Sequence, residues 1–173
     1  GTLRLGMRCQ DIKSPHTFSW VESSNSVRQT LDYLSITGTD NVTRPGLLEK
    51  WEPSADLKTW TLRLRKDVKW HNGRQFTADD VVFSFKRAAD PGSDMRGYTS
   101  PIKEVRKVND LAVDIETVTP FPILPDTLTA FAIMSRKWCE DNKATVPVDR
   151  RKGVENTASF KANGTGPFRL RER

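Results

Sequence analysis

Residues 59–91 constrain the fold more than any other part of this sequence. Apolar and polar side chains alternate through residues 59–65, which is typical of a half-buried antiparallel strand. Asn72-Gly73 then predicts a tight turn, because both residues tolerate a positive φ. Thr77 predicts the start of an amphipathic helix that Asp90-Pro91 ends. A strand followed by a turn and such a helix indicates an α/β protein with a packed core.

Further elements follow from local patterns along the chain. Residues 111–116 alternate, and together with the upstream run 102–108 they predict a hairpin joined at Asn109-Asp110. The remaining expectations are an opening strand over residues 2–7, turns at 39–41 and 53–56, a helix within 135–143, and a glycine turn at 163–166 that begins a new strand. Strands and helices therefore alternate along the whole chain, with an α+β mixed sheet as the expected architecture.

Three stretches are less regular. Val27, Leu31 and Leu34 recur at near-helical spacing and predict a helix capped by Asn25 or Ser26. Residues 45–51 are interpreted as irregular or helical. The prolines of residues 120–125 predict an extended crossing without a regular ladder, because proline lacks an amide donor.

The charge of the chain raises the question of nucleic acid. Lys and Arg number 28 against 22 Asp and Glu, which gives a net charge of +6. The basic residues are spread along the chain and interleaved with acidic or apolar residues, which is typical of a solvated surface. The sequence therefore predicts no nucleic-acid partner, although a basic nucleic-acid-binding module remains a rival interpretation.

The residues that usually carry catalysis or bind metals are few. His16 and His71 are the only histidines, and neither lies in a metal-binding pattern, so a surface or packing role is favoured for both. Cys9 and Cys139 are too far apart for a metal knuckle and leave open a single bridge, two free thiols or a partner cysteine elsewhere. Asp79-Asp80 suits the first turn of a helix. We predict no enzyme activity, no metal and no cofactor.

The tryptophans divide into core and candidate recognition residues. Trp60 lies on the apolar side of the alternating stretch and is expected in the core. Trp20 lies in a polar loop among serines. Its side chain is expected either to pack against the protein or to recognise a ligand, because indole offers a large area and one hydrogen-bond donor.

Residues 48–62, 64–73 and 76–84 form one long motif, and Gly164-Thr165-Gly166-Pro167-Phe168 forms a later one. Together they resemble the family 5 extracellular solute-binding proteins, the dipeptide, oligopeptide and nickel binders of ABC importers. Two positions depart from the family pattern: Leu57 stands where a turn glycine is usual, and Ser14-Pro15 stands where Asp-Pro is common.

The resemblance implies a type II periplasmic-binding fold, in which two lobes close on solute in a hinged cleft. Family members are much longer, so this chain is expected to supply part of the first lobe, with the second lobe absent. Residues 1–44 would start that lobe and include the cleft-edge loop, residues 45–160 would form its outer subdomain, and residues 161–173 would return to its core.

The resemblance also implies a function and a place for it. A peptide or another small solute would bind at the cleft edge, with Phe18, Ser19, Trp20 and Val21 as ligand-binding residues whose backbone adds to an extended peptide. The protein would be a monomer in the periplasm or at the cell surface and would deliver solute to ABC permease subunits in the membrane. An extracytoplasmic sensor of the same fold is the alternative.

Overall fold

The computed structural model describes residues 15–17, 21–148 and 155–171. The helices and strands of these ranges are α1 Val21–Val27, β1 Ser35–Thr37, β2 Thr43–Pro45, β3 Leu48–Pro53, β4 Thr59–Leu64, α2 Ala78–Ala88, α3 Arg96–Thr99, β5 Ile102–Asn109, β6 Ala112–Thr117, α4 Leu124–Thr127 and α5 Arg136–Asp141. A short 3-10 helix, Thr157–Ser159, follows. Among these residues no helix is long and apolar enough to cross a membrane.

A four-stranded sheet with the order β3-β4-β6-β5 forms the centre, and β1 and β2 pair separately. The predicted α/β class is confirmed, and every strand pairing within the described ranges is antiparallel. The predicted hairpin is β5-β6, and the predicted turn at 39–41 joins β1 to β2. Asn72-Gly73 forms the expected tight turn, with Gly73 at a φ of 85°.

The central strand β4 has one buried face and one half-exposed face, as its alternation predicts. Trp60, Leu62 and Leu64 are buried in the larger of two apolar clusters. Full burial of a side chain such as Leu62 contributes about 2 kcal/mol. On the other face the Thr61 hydroxyl donates to Asp114 Oδ1 at 2.7 Å and Arg63 pairs with Glu52 at 3.1 Å. The sheet therefore presents one face to the core and one to water.

Strand β5 lies at the edge of the sheet and is mostly exposed. Its pairing with β6 shifts register at two places, between Ile102 and Glu104 and between Lys107 and Asn109. Basic side chains of this strand pair with acidic ones on neighbouring elements: Lys103 with Glu116 at 2.6 Å, Arg106 with Asp114 at 3.2 Å and Lys107 with Asp79 at 2.6 Å.

Helix α2 packs between the sheet and α5. It starts after Thr77, as predicted, and ends before Asp90-Pro91. Val81, Phe85 and Ala88 are buried in the larger cluster. The ring of Phe85 meets Phe131 edge to face, with 4.9 Å between the ring centroids.

Asp80 is buried and joins three parts of the fold through its carboxylate. Its Oδ2 accepts from the Thr77 backbone N–H at 3.0 Å and from Trp70 Nε1 at 3.1 Å. Its Oδ1 accepts from the Arg136 backbone N–H at 2.8 Å. Burial raises the pKa of this carboxyl, although the three N–H donors oppose the shift. Asp80 thus accepts hydrogen bonds at the N-terminal ends of both α2 and α5. The sequence predicted only an interaction of its charge with the dipole of α2.

The helix predicted around Val27, Leu31 and Leu34 is wrong. Helix α1 covers residues 21–27 and ends where the predicted helix would begin, so Asn25 and Ser26 lie inside it and not at its cap. Residues 28–30 form a turn, and residues 31–34 belong to no helix or strand, with the Tyr33 and Leu34 carbonyls accepting from Leu47 and Gly46 N–H. The apolar spacing instead reflects burial in two clusters: Leu34 belongs to the larger, and Val27, Leu31 and Tyr33 belong to the smaller.

Three further stretches differ from expectation. Residues 45–51 are not helical, because β3 pairs with β4 as an edge strand. The proline segment forms no ladder, as predicted, but α4 replaces part of the extended crossing. Residues 163–168 bend as expected, yet no strand begins within the described residues up to Arg171. The strand predicted over residues 2–7 lies outside the described residues.

Leu57 lies in the turn between β3 and β4 at a φ of 57°. Its carbonyl accepts from Phe121 N–H at 3.0 Å and from Trp60 Nε1 at 3.3 Å, which fixes this backbone geometry. A side chain in the left-handed region costs about 1 kcal/mol relative to glycine. The position therefore favours glycine, the residue expected there from the family pattern.

Replacing Asp80 by asparagine is expected to lower the free energy of unfolding by about 2 kcal/mol or more. The amide nitrogen of Asn would face at least one N–H that now donates to the carboxylate. The neighbouring Asp79→Asn variant is the matched control, because it loses only exposed ion pairs and should stay within about 1 kcal/mol of the wild type. Urea unfolding measures both; equal losses would contradict this role of Asp80.

Leu57→Gly is expected to be more stable than Leu57→Ala by about 1 kcal/mol, although glycine leaves the smaller side chain. Both variants lose the partial packing of the leucine, so their difference isolates the backbone strain. Thermal unfolding of the two variants checks this, and an alanine variant that is the more stable of the two would refute it.

Candidate functional site

Of the four ligand-binding residues expected from the family resemblance, one lies within the described residues. Phe18, Ser19 and Trp20 lie outside the described residues. Val21 is the first residue of α1, so its backbone is helical. Val21 is therefore not part of an extended backbone, in contrast to the strand addition expected for it.

The segment before the candidate residues, Pro15–Thr17, is buried. Arg87 Nη1 donates to the Pro15 carbonyl at 2.6 Å. The His16 carbonyl accepts from the Asp94 N–H at 2.9 Å and from the Ser93 hydroxyl at 3.1 Å. This segment, called the entry anchor below, is thus attached to α2 and to the loop after it.

His16 packs inside the protein, in line with the predicted packing role. Its Nδ1 accepts from Arg87 Nη1 at 3.2 Å, so its proton lies on Nε2, which donates to the Ala132 carbonyl at 2.7 Å. Burial, assisted by the Arg87 charge, lowers the pKa of His16 to about 3. The ring is therefore neutral at physiological pH. Its φ of 71° shows that the backbone turns sharply here.

The Arg87 side chain is only 2% exposed and donates hydrogen bonds to several backbone carbonyls. Besides Pro15 it donates to Ala144 at 3.1 Å and to Val146 at 3.2 Å. Burial lowers its pKa to about 10, so the guanidinium stays charged at neutral pH. This side chain joins the entry anchor to the segment after α5.

Cys139 lies in the same region and does not act as a nucleophile. It is a buried free thiol, and burial raises its pKa to about 12. Cys9 lies outside the described residues. Among the residues that the structure describes, no group of His, Cys, Asp and Glu side chains is arranged to hold a metal ion.

The segment after the candidate residues is fixed by the glycine motif. The Thr30 carbonyl accepts from Gly166 N–H at 3.1 Å, and the Gln29 carbonyl accepts from Phe168 N–H at 3.0 Å. The Thr165 hydroxyl donates to Asp32 Oδ2 at 2.9 Å. Gly164 approaches so closely that a Cβ there would lie 1.6 Å from the Thr30 carbonyl oxygen. Residues 163–168 are called the return segment below.

His71 joins the return segment to the tight turn of the outer sheet. Its Nε2 donates to the Gly166 carbonyl at 2.8 Å, and its Nδ1 accepts from Gly164 N–H at 3.2 Å. Its backbone N–H also donates to the Gly164 carbonyl at 2.8 Å, and Asn72 N–H donates to Asn163 Oδ1 at 3.0 Å. The two motifs that carry the family resemblance are therefore in direct contact, which sequence reasoning about His71 missed.

A groove of about 440 Å³ lies beside the return segment. Its polar lining carries both signs of charge, from Asp32, Asp67, Arg65 and Lys69. A second groove of about 480 Å³ follows α2, on the side of α5.

A family model matches residues 42–173; it describes the middle portion of the bacterial extracellular solute-binding proteins of family 5. The dipeptide-binding protein of Escherichia coli is 38% identical over 149 residues, which is 74% of this chain and 26% of that protein. The periplasmic oligopeptide-binding protein OppA of Haemophilus influenzae is 43% identical over 79 residues, 46% of this chain and 15% of that protein.

Solved structures of periplasmic-binding proteins are also similar to this chain. Haemophilus influenzae OppA in complex with the peptide RPPGFSPFR superposes with a TM-score of 0.78 at 26% identity, covering 93% of this chain and 34% of that one. Campylobacter jejuni NikZ in complex with Ni(L-His) gives 0.71 at 26% identity, covering 83% and 27%. The chain thus spans between about a quarter and a third of these proteins, and the periplasmic-binding fold is confirmed for that part.

His16→Asn is expected to remove a pH dependence of stability, because asparagine tolerates a positive φ but does not titrate. The pKa of His16 is lowered from 6.5 to about 3 in the folded protein, so protonation favours the unfolded chain and stability is lost as the pH falls through this window. Between about pH 7.5 and 4.5 the wild type should lose about 2 kcal/mol more than the variant.

Urea unfolding at a series of pH values measures this difference. Subtracting the variant from the wild type cancels the contributions of the carboxyl groups, which both proteins share. Parallel pH profiles would contradict a neutral, buried His16.

Proposed function

The chain belongs to the family 5 bacterial extracellular solute-binding proteins, and on that premise we propose that it forms part of the solute receptor of an ABC importer. The observation that carries the proposal is its 38% identity with the E. coli dipeptide-binding protein over 149 residues. The proposed solute is a peptide. The receptor binds it without catalysing a reaction and delivers it to permease subunits in the membrane.

The proposed receptor works in the periplasm or at the cell surface, as a monomer. The relatives named periplasmic oligopeptide-binding proteins support this location. Two lobes would close around a cleft and thereby capture the solute. In this proposal residues 1–44 and 161–173 belong to the first lobe, and residues 45–160 form its outer subdomain.

The proposed contact with solute is the stretch Phe18, Ser19, Trp20 and Val21. The entry anchor before this stretch is bound by Arg87, Ser93 and Asp94, and the return segment binds the chain after α1. Backbone hydrogen bonds from residues 18–20 would accept peptides of varied sequence, while Trp20 would add apolar area.

The charge distribution disfavours the rival nucleic-acid-binding module. The described basic residues form many ion pairs, including Arg44 with Asp40, Lys50 with Glu52 and Lys137 with Asp141. Such pairing leaves little of the continuous positive field that phosphate binding needs. Trp60 and Trp70 are buried and offer no stacking platform for bases.

The experiment that tests the function is calorimetric titration of the complete gene product with dialanine, with a longer alanine peptide and with Ni(L-His). A peptide should bind, and the Trp20→Leu variant should bind it at least about tenfold more weakly, as expected for the loss of a buried aromatic anchor.

Trp51→Leu is the matched control, because Trp51 lies on β3, is partly buried against the larger cluster and is not among the proposed solute contacts. Its affinity should equal that of the wild type. Binding of Ni(L-His) without peptide would overturn the proposed solute, and equal weakening by the two variants would overturn the proposed contact. No binding of any of the three solutes would overturn the receptor function.

A further inference from the structure

We infer that Asn72 is a site of spontaneous deamidation, at which the exposed turn converts the side-chain amide into a carboxyl group and in part into an isoaspartyl link. The pair Asn163-Gly164 consists of the same two residues but is buried, and it stays intact in the folded protein. The inference rests on the described contacts of the two pairs and does not depend on the proposed function.

The local sequence marks both pairs as reactive. The chain holds seven asparagines, and only Asn72 and Asn163 precede a glycine. Asparagine is among the thermolabile residues of proteins. Because glycine has no Cβ, its peptide nitrogen can approach the side-chain carbonyl of the preceding residue without steric hindrance. The surroundings of the two pairs therefore decide which of them reacts.

The reaction joins the peptide nitrogen of Gly73 to Cγ of Asn72. The nitrogen gives its proton to hydroxide from the solvent and attacks Cγ, the bond between Cγ and Nδ2 breaks, and Nδ2 leaves as ammonia after taking a proton from water. Water then opens the cyclic imide. Cleavage of its bond from nitrogen to Cγ gives an aspartyl residue, whereas cleavage of its bond from nitrogen to the backbone carbonyl carbon gives an isoaspartyl residue. In total a water is consumed and an ammonia is released, and no group is oxidised or reduced.

The pair Asn72-Gly73 is open to the water that this reaction needs. Both residues are exposed, and a Cβ at Gly73 would meet no atom within 4 Å. The Gly73 N–H donates to the Trp70 carbonyl at 2.8 Å, so this hydrogen bond has to open before the nitrogen can attack. A turn at the surface can open locally while the sheet stays folded.

The side chain of Asn72 is held in a position that favours the attack. The Arg74 N–H donates to Asn72 Oδ1 at 3.2 Å, which keeps the side chain folded back along the turn. Oδ1 is the oxygen of the carbonyl group that Gly73 attacks. A donor directed at this oxygen stabilises the negative charge that develops on it during the attack.

The pair Asn163-Gly164 is buried and held by its neighbours. Asn163 is 6% exposed, and its Oδ1 accepts from the Asn72 N–H at 3.0 Å. The Gly164 N–H donates to His71 Nδ1 at 3.2 Å, and the Gly164 carbonyl accepts from the His71 N–H at 2.8 Å. A Cβ at Gly164 would lie 1.6 Å from the Thr30 carbonyl oxygen, so the backbone has no space in which to rotate. Attack at Asn163 therefore requires a larger opening, which separates this pair from the tight turn and from the chain after α1.

Storage of the folded, complete gene product at mildly alkaline pH tests the inference. Trypsin cleaves after lysine and arginine, so the two pairs fall on separate peptides, residues 70–74 and 162–169. Mass spectrometry of each peptide measures the conversion of amide to acid, with a sample taken before storage as the reference. Peptide 70–74 should convert at least about tenfold faster than peptide 162–169, because the second pair reacts only after a larger opening. Peptide 70–74 should also give two products of equal mass, the aspartyl and the isoaspartyl form.

Two controls separate the effect of the structure from that of the local sequence. In the urea-unfolded protein the two peptides should convert at comparable rates, because both Asn-Gly pairs are then surrounded by water. The Asn72→Gln variant keeps an amide at an exposed position, but its longer side chain would have to close a larger ring. Its peptide 70–74 should convert far more slowly than that of the wild type, while conversion of peptide 162–169 stays as slow as before.

Three results would overturn the inference. Equal conversion of the two peptides in the folded protein would show that the structure does not select between the pairs. Conversion of peptide 70–74 only after unfolding would show that the turn protects Asn72. Conversion that is as fast in Asn72→Gln as in the wild type would show that the reacting group is not the Asn72 amide. None of these measurements involves a solute, so they leave the proposed receptor function untouched.

Discussion

The buried carboxylate of Asp80 holds the outer part of this fold together. It accepts N–H donors from the turn before α2, from the first residue of α5 and from the indole of Trp70. Ser84 strengthens the same junction one turn later, since its hydroxyl donates to the Asp80 carbonyl and accepts from Met134 N–H. A buried charge of this kind is tolerated because each oxygen has a partner. The positions of α2, α5 and the tight turn all depend on it.

Strong local sequence patterns were sufficient to predict the elements at the centre of the structure. The alternation around Trp60, the Asn72-Gly73 turn and the cap at Thr77 each predicted their element, because local chemistry and tertiary packing agree there. The helix predicted after Val27 failed because apolar spacing reports burial and not backbone shape. Leu31 and Leu34 are buried in different clusters, and the irregular chain between them gives the same apolar spacing as a helix face.

The two histidines make contacts between residues far apart in the sequence, which local sequence patterns do not predict. His16 binds the Ala132 carbonyl and His71 binds Gly166, across separations that no pattern of neighbours reveals. Only the family resemblance linked the motif at residues 64–73 with the one at 164–168. The structure gives that link a physical form, because the two motifs are partners in one hydrogen-bonded junction. This junction fixes the chain after α1, and the proposed solute contacts are Phe18, Ser19, Trp20 and Val21.

The exposed edge of the sheet has a consequence for behaviour in a crowded compartment. Strand β5 offers unpaired backbone groups to solvent, and such a row can recruit a strand from another molecule. The two register shifts interrupt the row, and the charged side chains between them would have to be desolvated by any incoming chain. Within the described residues the sheet ends at β5, and the shifts and charges there disfavour pairing with a strand of another molecule.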